Sequence, residues 1–133
     1  MTTASGPPTV PVPGRQTDVI DAPHLARVTF GDPGLERQIL ELFLRQVPIM
    51  LDRIGCAPAT MAAAAAHTLK GSARGIGLWR LARSAESFEQ AVASADEDRI
   101  KGAFSELTAA GLEASTAISV HLDRSFADRT RSR

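Results

Sequence analysis

Hydrophobic positions along the chain recur at spacings of three and four in four long blocks, the signature of helices that each bury one stripe. In the first block, Leu35, Ile39, Leu42, Phe43, Met50 and Ile54 form the apolar side of a helix over about 33–54. Asp32-Pro33 starts it, since the aspartate can accept from free amides and the proline occupies a first helical position that needs no donor. Pro48 removes one backbone bond and is expected to kink it, and Gly55 to end it. The second block is the alanine-rich run that begins near Pro58 or Thr60 and lasts to Gly75 or Gly77. The third spans about 78–94 on Leu78, Leu81, Ala85, Phe88 and Val92. The fourth begins near Asp96 and carries Ile100, Phe104, Leu107, Gly111, Ala114, Ile118 and Leu122 on one stripe. No strand-like alternation competes.

Four such helices with short connections predict an all-α protein, an antiparallel four-helix bundle. A short extra N-terminal helix over Pro23 to Thr29, with Leu25 and Val28 three apart, is expected to cap one end of the core before Gly31 stops it. Residues 1–18 hold half of the chain's prolines among Thr, Ser and Gly without apolar periodicity, and read as a flexible Pro-rich tail. The bundle is expected to occupy 19–127, and the basic end DRTRSR, 128–133, to fray.

Composition narrows the picture. The chain has 133 residues, 44% of them hydrophobic, with five Phe, one Trp and no Tyr, so one core built from Leu, Ile, Val and Ala is expected. Fifteen basic residues balance fifteen acidic ones, which argues against nucleic acid or an anionic membrane as a partner recruited by a strong field. Cys56 stands alone, without a disulfide partner or zinc-ligand spacing, and reads as a small hydrophobe in a turn. No metal or cofactor site of its own is expected. The N-terminus lacks a signal-peptide pattern and the MAAAAA run is far too short to span a bilayer, so a cytoplasmic monomer is the expectation.

The stretch AHTLKGSARG, 66–75, carries the candidate chemistry. At about 100° per residue, Ala62, Ala65, Ala66, Leu69, Ala73 and Ile76 share one sector, while Ala63, His67, Lys70, Gly71 and Arg74 share the opposite one. His67 therefore points away from the core. A neutral imidazole is a nucleophile near neutral pH, attacking through one ring nitrogen while a hydrogen bond holds the other. A phosphoryl group on it brings up to about two negative charges, which Lys70 and Arg74, one and two turns away, can offset. Ala63 and Gly71 flank His67 at minus four and plus four with almost no side chain, leaving a docking surface for another protein. Ser72 reads as a small packing residue, Trp79 as a partly buried anchor, and His24 and His121 as surface or helix-end residues without ligand spacing to His67. Lys70-Gly71-Ser72 lacks the Gly-x4-Gly-Lys arrangement of a phosphate loop.

The set His67-Thr68-Leu69-Lys70-Gly71-Ser72-Ala73, then Ile76-Gly77, Leu81 and Phe88-Glu89, resembles the signature of histidine-containing phosphotransfer (HPt) domains, and LERQILELFLRQVPIMLDRI resembles their second helix. The likeness runs from about Asp18 to Ser94. It implies a four-helix carrier that accepts a phosphoryl group from a receiver-domain aspartate and passes it to another receiver, without ATP of its own. It implies that His67 is phosphorylated, that Lys70 and Gly71 support it, and that Glu89 stands where a polar residue orients the imidazole. Receiver domains of response regulators, and a hybrid histidine kinase, are the implied partners, and the magnesium ion and aspartate pocket would be the partner's. Two departures stand out: Gly75 is an extra glycine expected to loosen the helix end, and alanine replaces the charged residues often found just before the histidine. The competing readings are a helical adaptor that binds receiver or kinase domains without being phosphorylated, which the intact His67-Lys70-Gly71 set disfavours, and an ATP-using kinase fragment, for which the chain leaves no room.

Overall fold

The computed structural model describes residues 19–131, with side chains through residue 127, so the expected tail over 1–18 lies outside the described residues. Five helices follow in order: α1 (Ala22–Val28), α2 (Pro33–Cys56), α3 (Ala59–Gly75), α4 (Trp79–Ser94) and α5 (Glu97–Arg131). The long helices pack in a closed ring, α2 on α3, α3 on α4, α4 on α5 and α5 back on α2. Connections of two or three residues force each to run opposite to the one before, which gives the antiparallel four-helix bundle. The helix α5 continues to Arg131, past the residue 127 at which the sequence ends the bundle.

The core consists of Leu40, Phe43, Val47 and Ile54 from α2, Ala62, Ala66, Leu69 and Ala73 from α3, Leu81, Ala82, Ala85 and Phe88 from α4, and Leu107, Ala114 and Ile118 from α5. This corrects the expected α2 stripe. Leu42 is 49% exposed, and Leu35, Ile39 and Met50 are only partly buried, while Leu40 and Val47 take the inner positions. The helix is apolar on two overlapping sides, and the one that meets both α3 and α5 becomes the core. Val28 of α1 is likewise exposed, so Leu25 is the one residue of that helix that enters the core.

The expected start of α2 is present: Asp32 accepts from the amides of Gly34 (2.9 Å) and Leu35 (3.2 Å), with Pro33 in the first turn. Pro48 lies inside α2 on its exposed side, and the helix runs on to Cys56, an exposed last-turn residue. Gly55 therefore does not terminate the helix. A Cβ there would stand 2.9 Å from Phe104 Cζ, so the glycine admits the Phe104 ring of α5, which in turn meets Phe88 edge-on.

At the other end of the bundle α1 is fastened to the α3–α4 corner. Asp21 accepts from the Trp79 indole Nε1–H at 2.8 Å and from the His24 amide at 3.0 Å, and its own amide donates to the Gly77 carbonyl. His24 Nε2–H donates to the Gly75 carbonyl at 3.1 Å, since a carbonyl can only accept. The helix end that the extra glycine was expected to loosen is thus tied down. Gly77 has φ +84, and a Cβ there would lie 3.0 Å from Asp21 Cβ and 3.1 Å from its carbonyl oxygen, so only glycine allows both the turn and the close approach.

The Trp79 hydrogen bond, then the His24 amide, hold the Asp21 carboxyl below the usual carboxylate range, against the opposing effect of burial. A depressed folded-state value means that this contribution is full above the unfolded value and disappears as pH falls through the folded one. Replacing Asp21 with alanine removes the helix cap and the indole's partner, and is expected to cost about 1–2 kcal/mol in urea unfolding at neutral pH. The difference between wild type and Asp21→Ala should shrink on acidification below about pH 4; a constant gap would show that the carboxylate charge contributes nothing.

Candidate functional site

The small core residues of α3 let its backbone sit close to α4, and this brings the edges of the two helices into register. Because the helices are antiparallel, rising positions on α3 meet falling positions on α4. His67 and Lys70 both reach Glu89, and Arg74 reaches Glu86.

His67 lies on the outer face, with 69% of its side chain exposed. Its Nδ1 stands 2.8 Å from Glu89 Oε2. Burial pushes the Glu89 carboxyl up, but the contacts with Lys70 and His67 outweigh it and hold it below the usual carboxylate range. At neutral pH Glu89 is therefore ionised and can only accept, which places the proton on His67 Nδ1 and leaves the lone pair of the neutral ring on Nε2. The other oxygen, Oε1, lies 2.8 Å from Lys70 Nζ; it is buried, and the ammonium charge rather than an aligned hydrogen bond compensates it.

Each residue singled out from the sequence has a definite place. The structure brings His67, Lys70 and Glu89 together. Lys70 departs from the expected open, outward position: its side chain is only 13% exposed and turned onto Glu89. Arg74 is drawn away toward Glu86, at 3.5 Å, on an exposed rung one step further along. Gly71 is exposed, with no heavy atom within 4 Å of where a Cβ would be. Ala63 is half-buried, and Ser72 is exposed rather than packed. Glu86 is a site residue that the sequence does not single out: its spacing puts it one turn from Glu89 on the same edge of α4, but spacing within one helix does not say which edge of α3 it meets.

Two further histidines are elsewhere and differently bound. His121 Nε2 donates to Glu36 Oε2 at 2.8 Å between α5 and α2, and His24 caps α3 as described. Trp79 is the partly buried anchor its position suggests. Among the described residues there is no group of three or more His, Cys, Asp or Glu that could hold a metal ion, and no helix is long and apolar enough to cross a membrane.

An apolar groove opens between α2 and α3, lined by Ile39, Leu42 and Met50 on one side and Thr68, Ser72 and Ile76 on the other. Within about two turns of His67 the exposed back of α3 toward this groove carries Ala64, Thr68, Gly71 and Gly75, and the exposed Met61 lies nearer the start of the helix. The side chains on α3 between the histidine and the groove are thus small at this level.

A family model described as the Hpt domain matches residues 38–118. Among solved structures, the X-ray structure of a candidate histidine-containing phosphotransfer protein from rice superposes with a TM-score of 0.72 at 16% identity, covering 84% of each chain. At that identity the likeness is one of fold. No curated protein gives a significant sequence match.

Proposed function

The chain belongs to the Hpt domain family, and from that premise we propose that it is a phosphorelay carrier that takes a phosphoryl group on His67 Nε2 from a receiver-domain aspartate and hands it to another receiver. The observation that supports this most directly is the His67–Glu89 hydrogen bond. It fixes the tautomer, turns the ring, and leaves Nε2 as the exposed nucleophile.

In the transfer, the Nε2 lone pair forms the bond to phosphorus while the bond from phosphorus to the aspartyl oxygen breaks, and the carboxylate leaves with that electron pair. No proton need move at Nε2. Positive charge develops on the ring, and the Glu89 carboxylate at Nδ1 stabilises it. Lys70 Nζ lies one helical turn away and can turn toward the phosphoryl oxygens. A magnesium ion and the aspartate pocket belong to the partner, and the carrier itself uses no ATP.

Docking is expected over the small-residue surface between His67 and the apolar groove. Leu42, exposed although hydrophobic, fits such a contact surface. A partner reaching Nε2 from there must pass Gly71. Gly71→Gln is expected to leave the melting temperature close to that of wild type, because no atom stands in the way of its Cβ, while slowing transfer from a phosphorylated receiver by about tenfold or more, a loss of roughly 1.4 kcal/mol in the encounter. Transfer at the wild-type rate would show that the partner approaches from the other side.

A further inference from the structure

We infer that Glu89 keeps the proton on Nδ1 after His67 is phosphorylated, so that the phosphoryl group rides on a cationic phosphoimidazolium and residue 89 sets its lifetime on the carrier. The inference rests on the reading of His67 as the phosphorylated residue. It goes beyond orientation of the ring, which any hydrogen-bond acceptor at that place could supply.

The chemistry turns on one proton. When Nε2 bonds phosphorus, its lone pair is committed and a ring that retains Nδ1–H is a cation. If that proton is lost, the ring is neutral. On transfer or hydrolysis the P–N bond breaks and its electrons return to Nε2. From the cation, neutral imidazole leaves; from the neutral ring, imidazolate would have to leave, which is far less favourable. The balance between the two forms is decided by what faces Nδ1, and here it is a carboxylate oxygen at 2.8 Å.

The surroundings sharpen that effect. Glu89 has only 22% of its side chain exposed, so water competes poorly for it. The other charged groups beside the pair are Lys70 and Arg74 on α3 and Glu86 on α4, while Arg53 of α2 lines the groove beside Thr68. Arg74 and Glu86 compensate one another, and Lys70 offsets part of the Glu89 charge from the far oxygen. Lys70 and Glu89 thus act on the Nδ1 proton in opposite senses, with Glu89 in direct contact and Lys70 one atom group further away.

The test uses the full chain phosphorylated with potassium phosphoramidate, the donor then removed, and the phosphohistidine followed by 31P NMR from about pH 5 to about pH 9. Glu89→Gln keeps an acceptor but no charge. It is expected to lengthen the phosphohistidine lifetime near pH 8 by about tenfold, the equivalent of roughly one unit in the Nδ1 titration, and to move the midpoint of the lifetime's pH dependence to more acid pH. Lys70→Met is expected to move that midpoint the other way. An unchanged lifetime and midpoint in Glu89→Gln overturns the inference, as does a shift of both variants in the same direction. So does a folded Glu89→Gln chain that takes no label at saturating phosphoramidate, because Glu89 would then be needed to form the phosphohistidine rather than to set its lifetime. Should wild type gain no phosphohistidine signal that His67→Ala lacks, the assignment of His67 itself fails, and the result is distinct from the others.

Discussion

Replacing His67 with alanine is expected to abolish phosphoryl uptake from a phosphorylated receiver while leaving the helical circular dichroism and the melting temperature nearly unchanged. The loss should be complete rather than partial, because the other two histidines offer no equivalent nucleophile. His121 donates Nε2–H to Glu36 between two helices, and His24 donates Nε2–H to the Gly75 carbonyl at the end of α3, so in each ring the lone pair lies on Nδ1, crowded by the residue's own backbone, and neither stands on the open face of α3. The fold should survive because the His67 side chain is largely in solvent and touches no core residue's position. Alanine is also the better helix former, by a few tenths of a kcal/mol. What the substitution strands is Glu89, yet Lys70 remains at 2.8 Å to compensate its charge. Autoradiography after incubation with labelled receiver, beside a thermal melt of the same sample, checks both halves. Residual labelling would place the acceptor elsewhere, and a large drop in melting temperature would make His67 structural.

Leu69→Ala, two positions along the same helix, should do the reverse. Leu69 is fully buried among the core residues of the bundle, and trimming it removes apolar contact and leaves a cavity. Such changes cost about 2–5 kcal/mol, which for a domain of this size lowers the melting temperature by on the order of 10 °C or more. At a temperature where the variant is still folded, His67 and Glu89 keep their places on the opposite edge, and labelling should persist. A loss of less than about 1 kcal/mol in urea unfolding would mean that the cavity collapses or that the α3 core face is assigned wrongly. Taken as a pair, the two substitutions test whether one helix separates its folding face from its chemical face.

Much of that separation was legible in the sequence, since three-four periodicity is a property of a single helix. The alanine-rich run showed which residues face inward and put His67 outside, and Asp32-Pro33 marked a start that the structure keeps. The placement of Glu89 against His67 was available only through the resemblance to a family, because the two residues are 22 apart and periodicity says nothing about which edge of one helix meets which edge of another.

Tertiary structure decided the rest. The α2 segment is apolar on two overlapping sides, so its own pattern could not choose between Leu42 and Leu40; contact with α3 and α5 at once chose Leu40 and Val47 and left Leu42 by the groove. Gly55 reads as a helix stop until Phe104 is seen to need its space, and nothing in the sequence pairs Asp21 with Trp79, 58 residues away. Lys70 reads as an open cation until Glu89 draws it in, and Arg74 as its equal until Glu86 claims it. Each helix carries its own periodicity, but the rotation and register between helices come from how closely the small residues of α3 let α4 approach, and only that approach turns separate side chains into a site.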